Sequence, residues 1–312
     1  MTAFILRRLW QMLPTLLGVV LLVFFLFNWV GGDPAYVLAG KISNPEQIAN
    51  IRRQLGLDEP VWVQLWIFIQ QIVTADFGVS WSTGESVGHI IGSRLGPSLT
   101  VLLPLQVLEV VLSIALALAV AYVRGSLTDR LVMIACTVAM SISILVYIIV
   151  FQYFFAYELG WFPVQGWGDG VWRNLVTYAA LPILIALAVS IAPNLRLYRT
   201  FMLDEIGQDY VRTARAKGLS EHRILWWHVL RNAAIPIITY VMANLPGLLI
   251  GAFLIERFFS IPGIGREIIM AVDRSDFPVI KAITVYVALA TMIFNLLADL
   301  MYRWVDPRVQ FK

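Results

Sequence analysis

The sequence predicts an all-α integral membrane protein with six membrane-spanning helices, and three observations lead there. Apolar runs of about 20 residues, the length that crosses a bilayer at 1.5 Å rise per residue, recur six times. Of the 312 residues, 59% are hydrophobic and only 14% charged, against roughly 25% charged in soluble domains. Most of the 23 lysines and arginines fall in alternate connections between the runs, the pattern that orients a membrane protein, rather than in one patch.

The runs are Leu9–Val30, Pro97–Val123, Leu131–Tyr153, Leu175–Ala192, Pro236–Ile255 and Ile280–Met301. The first is longer than the 7–15 residues of a signal-peptide core and reads as a retained helix. Pro182 and Pro246 are tolerable in spans because neighbouring groups satisfy the freed carbonyls. Arg7, Arg8, Arg124, Arg130, Arg303 and the seven basic residues between Arg196 and Arg231 put both termini on the inner, cytoplasmic side. The net charge of +3 therefore marks orientation and lipid head groups. Nucleic-acid binding would need a clustered basic face with stacking aromatics. The chain divides into residues 1–30 (N-terminus and first helix), 31–96 (an outer helical segment), 97–301 (a five-helix core) and 302–312 (an inner tail).

Two segments exceed simple connectors. In the outer segment, Gly31-Gly32-Asp33-Pro34 ends the first helix, and Asn44 precedes Pro45 at the start of the next, with Ile48, Ile51 and Leu55 at helical spacing. The apolar stretch VWVQLWIFIQQIV (61–73) is too short to span and, with Trp62 and Trp66, suits the outer membrane surface. On the inner side, residues 194–235 form an amphipathic, basic segment. Gly218-Leu219-Ser220 breaks it, Gly218 supplying a turn and Ser220 a cap for the helix that follows. Two readings apply: a helix that seals the bundle, or a docking element.

That inner segment, YVRTARAKGLSEHRILWWHVLRNAAIPIIT from Tyr210 to Thr239, resembles the cytoplasmic loop of permease subunits in bacterial binding-protein-dependent ABC importers, with the dipeptide and oligopeptide branch most similar. FILRRLWQMLPTLLGV, GDP (Gly32–Pro34), LGLDEP (Leu55–Pro60), DFGVS (Asp76–Ser80), FFSIPGIGRE (Phe258–Glu267) and LADLMYRWVDPRV (Leu297–Val309) match in the same order, so the resemblance covers nearly the whole chain. It implies the type I importer fold, a second homologous permease, as a heterodimer or a homodimer, and one or two kinds of separate ATPase subunit beneath. It also implies an external, periplasmic solute-binding protein, a peptide substrate and the bacterial inner membrane. Nickel, glutathione or another small solute are alternative cargoes. The family's Glu-Ala-Ala positions fall on Arg212, Thr213 and Ala214, so Arg212 stands where the general motif has an acid. The resemblance makes Arg212, Thr213, Ala214, Arg215, Ala216, Lys217, Gly218, Leu219, Ser220 and Glu221 the ATPase-coupling residues, with Arg215 and Lys217 open to acids on a partner.

No GxxxxGK[ST] phosphate loop, HExxH or GxSxG occurs, so the expectation is no catalytic residue, no metal and no cofactor on this chain, with ATP and magnesium on partner subunits. The lone Cys136 reads as a small core residue. Glu109 lies mid-span with Gln106 on its face; it either lines a translocation path or hydrogen-bonds a neighbouring helix. Asn244 and Asn295 are further path candidates. Gly247 and Gly251 form GxxxG, for packing within the chain or against the second permease. Asp299 and Arg303 read as an i,i+4 ion pair. A stand-alone secondary transporter is the competing class, but the internal repeat common there is not visible. A receptor or scaffold would have no use for the turn-broken inner helix.

Overall fold

The computed structural model describes residues 2–30, 34–39, 44–245, 247 and 252–305, and these are helical throughout apart from turns and one isolated β-bridge. The helices are α1 Thr2–Phe25, α2 Pro34–Ala39, α3 Pro45–Gln54, α4 Val61–Thr74, α5 Val87–Tyr122, α6 Leu127–Ser141, α7 Ile144–Phe151, α8 Val171–Arg173, α9 Ala180–Ile206, α10 Asp209–Ala216, α11 Glu221–Arg223, α12 Leu230–Asn244, α13 Phe253–Phe258, α14 Ile264–Asp273 and α15 Phe277–Val305. Wider π-helical turns follow α1, α7, α8 and α11. Among the described residues four helices are long and apolar enough to cross a membrane, or five if α6 and the α7 arm count as one bent span. The predicted fifth span, 236–255, includes residues 246 and 248–251, which lie outside the described residues, as does the expected turn at 31–33.

The third predicted span is not straight. Its arms meet at 93°, where Ile142 is extended and the Ser143 hydroxyl accepts from the Leu145 amide at 3.4 Å. The second span starts ten residues before the predicted Pro97, because α5 continues outward to Val87. The fourth continues inward through Pro193 to Ile206, so the first third of the predicted inner segment is the end of a span helix. Ile206 is followed by Gly207 and Gln208, where the chain turns into α10.

The two longest internal helices, α5 and α9, form the most extensive helix pair and divide the core into halves. Toward the end read from the sequence as outer, Val101, Leu102 and Leu105 meet Leu181, Ile183 and Ile185, Ile148 of α7, and Phe259 and Ile261 after α13. Toward the inner end Ala117, Leu118 and Ala121 meet Tyr198, Met202 and Ile206. Cys136 is buried against Ala192 and Leu195, a small side chain between α6 and α9. Arg199 of α9 donates to Asp129 at 2.7 Å, and the Gly125 amide donates to the same carboxylate at 2.9 Å, which pins the start of α6.

Helix α1 packs on α15, and Val20, Val23 and Phe24 share a cluster with Phe68 of α4 and Val285. The short α4 thus presents Phe68 to the bundle, while Trp62 and Trp66 are exposed. Asp299 pairs with Arg8 of α1 at 3.0 Å across helices; the i,i+4 partner read from the sequence, Arg303, has its side chain outside the described residues.

Two buried carboxylates tie the outer connections to the spans. Glu256, 0% exposed, accepts from Ser98 of α5 at 2.7 Å and from the Arg266 amide at 2.9 Å. A Cβ on Gly263 would lie 2.4 Å from its carboxylate, so only glycine fits that loop. Asp276 accepts four bonds, from the Ser80 and Ser82 hydroxyls and the Trp81 and Ser82 amides, and fastens the turn before α5 to the start of α15.

Candidate functional site

Helix α10 is amphipathic because its apolar residues are three apart. Val211 and Ala214 are buried in the inner cluster against Tyr198, Met202 and Ile206, together with Ile224, Leu225 and Val229 from beyond the turn. Arg212, Thr213, Ala216 and Lys217 face out. Tyr210 donates to Glu205 at 2.6 Å, and burial, then that bond, pushes its pKa up to about 12, so the phenol stays protonated and holds α10 to the end of α9.

The turn after α10 is closed by backbone geometry. Gly218 has φ +77°, its amide donates to the Arg215 carbonyl at 2.9 Å and the Leu219 amide to the Ala214 carbonyl at 3.3 Å, the paired bonds of a Schellman cap. A Cβ at that φ costs roughly 1–2 kcal/mol. Ser220 stands before α11 in extended conformation and its carbonyl accepts from the Ile224 amide at 3.0 Å; the expected side-chain cap is absent. Arg215 binds Glu221 across the turn through Nε at 2.6 Å and Nη2 at 3.1 Å. In the chain alone the fork of Arg215 is taken up by Glu221, and the side chain stays partly exposed. Arg212 pairs with Asp209 at 3.3 Å on the open surface, and Lys217 has no ion-pair partner among the described residues. From Arg212 to Glu221 the ten coupling candidates form one outward helix–turn–helix, with Ala214 buried beneath it and Leu219 packed at its edge.

The path candidates are not brought together. Glu109 accepts a hydrogen bond from Asn194 of α9, linking α5 and α9 midway between the core halves; Gln106 is half-buried one turn away. Asn244 donates to its own Tyr240 carbonyl at 2.8 Å and is exposed, and Asn295 is exposed on α15. Of the two readings of Glu109, the structure supplies the interhelical hydrogen bond. The residue the sequence reading missed is Asn194, an amide after Pro193 in an apolar run, a signal masked by placing the inner segment's start there. A Cβ on Gly247 would meet nothing within 4 Å, and Gly251 lies outside the described residues.

The chain is thus a multi-pass helical bundle with an exposed turn anchored to two of its longest helices. Residues 110–311 match the family described as binding-protein-dependent transport system inner membrane component, and residues 1–101 match its N-terminal family. The chain is 34% identical over 312 residues to the glutathione transport system permease protein of Salmonella typhimurium, with both chains covered in full. It is 32% identical over 338 residues to the dipeptide transport system permease protein of Escherichia coli and 30% over 334 residues to that of Alkalihalophilus pseudofirmus, again over the full length of each. The chain belongs to this family of ABC importer permeases: it is a transmembrane subunit of a binding-protein-dependent importer that works with other subunits.

Proposed function

We propose that the chain forms one half of the translocation path for di- and oligopeptides across the bacterial inner membrane, with both termini in the cytoplasm. A homologous permease forms the other half, an external binding protein delivers the cargo, and one or two ATPase subunits, carrying ATP and magnesium, dock on residues 212–221. The observation that carries this reading is the turn at Gly218: outward and cationic on one side, and on the other continuous with the core that joins α5 to α9. A push on α10 from a closing partner reaches both span helices as a rigid displacement, since packed interiors switch between arrangements rather than yield. The peptide assignment is supported by the relatives named for dipeptides, and the relatives named for glutathione support the alternative cargo.

The test is ATP hydrolysis by the co-purified complex in lipid nanodiscs with its binding protein and a ligand panel. Stimulation by short peptides, and not by nickel or glutathione, supports the reading. Stimulation by glutathione or nickel alone moves the cargo and leaves the coupling. No co-purifying ATPase and no stimulation would overturn it in favour of a stand-alone transporter.

A further inference from the structure

Beyond the Gly218 turn, α11 runs through the π-helical turn Ile224–Val229 into α12 without interruption. One side of this stretch is fully used: Ile224, Leu225 and Val229 are at most 5% exposed in the inner cluster. On the other side Arg223, Trp227, His228, Arg231 and Asn232 line a cleft of about 600 Å³. Trp227 is 71% exposed and Trp226 45%. Neither Arg223 nor Arg231 has a carboxylate partner among the described residues, a state they share with other arginines of the chain, but here the two stand in one cleft. No acid lines the cleft. The Asn232 amide donates to the His228 carbonyl at 3.1 Å, and the two guanidinium groups are the permanently charged donors of the lining, beside the Trp227 indole and the His228 ring.

We propose that this cleft is a binding site for the head group of an anionic phospholipid, with Arg223 and Arg231 on the phosphate groups and Trp227 seated between them at the membrane boundary. Three arguments select a lipid. Charge complementarity requires an anion, and arginine presents a fork that fits phosphate. The run that follows, Ala233–Val241, is mostly apolar and leads into the fifth span read from the sequence, 236–255, whose boundary is the layer in which tryptophan concentrates. A small soluble phosphate would leave two large indoles in water, whereas the head-group layer accommodates both rings. The inference rests on the membrane-spanning fold and is independent of cargo; the cleft borders the proposed ATPase-docking segment 212–221, since Arg223 closes the same short helix α11 that begins at Glu221.

The test uses the full-length chain in nanodiscs containing, at equal mole fraction, either brominated phosphatidylglycerol or brominated phosphatidylcholine. Quenching of Trp227 is read as wild type minus W227F. At about fivefold per arginine near an anionic surface, the expected preference for phosphatidylglycerol is roughly 30-fold. R223Q/R231Q removes it and R223K/R231K retains most of it. Equal quenching by the two lipids in the wild type overturns the site, and so does a preference that survives in R223Q/R231Q. If that variant fails to accumulate, the wild-type comparison decides. Protection of Trp227 from both lipids in the complex with co-purified subunits would make the cleft a protein interface and sink the proposal.

Discussion

Arg215 and Glu221 join across the Gly218 turn by two hydrogen bonds, 2.6 and 3.1 Å, so the end of α10 and the start of α11 are held as one unit. The pair is partly exposed, Arg215 at 36% and Glu221 at 46%, and solvent screening keeps its contribution to stability below about 1 kcal/mol. Glu221→Gln is therefore expected to leave the melting temperature nearly unchanged while lowering solute transported per ATP about two- to fivefold. A coupling ratio equal to wild type would remove the pair from the mechanism.

The same pair sets a pH expectation. The Arg215 hydrogen bond holds the Glu221 carboxyl below its ordinary 4.5, against the opposing effect of burial. A depressed carboxylate stabilises the fold above its unfolded pKa and loses that contribution as pH falls through the folded one. Coupling is thus expected to be flat from about pH 6 to 8 as far as this pair is concerned, and the turn to loosen only below the ordinary carboxylate range. Hydrogen-exchange protection factors of the Gly218 and Leu219 amides, corrected for the intrinsic pH dependence of exchange, report it; protection lost already near neutral pH would contradict the assignment.

Glu109 and Asn194 link the two central helices. Glu109→Gln keeps a hydrogen-bonding side chain, so the complex should assemble while transport in proteoliposomes changes. Asn194→Ala removes the partner from a half-buried carboxylate and should cost about 1–3 kcal/mol. Loss of assembly in Glu109→Gln, seen by size-exclusion chromatography, would leave the residue a structural role alone.

Asp276 receives four donors and has only acceptors to offer. Asp276→Asn turns one acceptor into a donor aimed at other donors, and about 2–3 kcal/mol of stability should go with it. Proteolysis between Asp76 and Ser86 should accelerate in parallel. A variant that melts and resists protease like wild type would show that the turn is held by other contacts.

The features legible in the sequence were those with a local cause. Helical periodicity marked α3 and α4, apolar length marked the spans, and Gly218 marked the turn because a left-handed φ favours glycine. The 93° bend after Ser141 was hidden because both arms are uniformly apolar, and hydropathy does not register direction. The inward extension of α9 was hidden because polarity changes at Asn194 while the helix does not. Partner choices were the least legible: the Arg8–Asp299 pair joins α1 to α15 by helix packing, which sequence spacing does not encode, and the Arg215–Glu221 pair depends on the turn that brings residues six apart together.

The central claim is that the turn at Gly218 transmits hydrolysis on partner subunits to the spans. Gly218→Val in the reconstituted complex, with ATP hydrolysis and solute uptake followed in the same vesicles, tests it most directly. A β-branched side chain at φ +77° forces the turn open. The expected result is an assembled complex that hydrolyses ATP at a basal rate with uptake reduced at least about tenfold. Wild-type uptake per ATP would contradict the account.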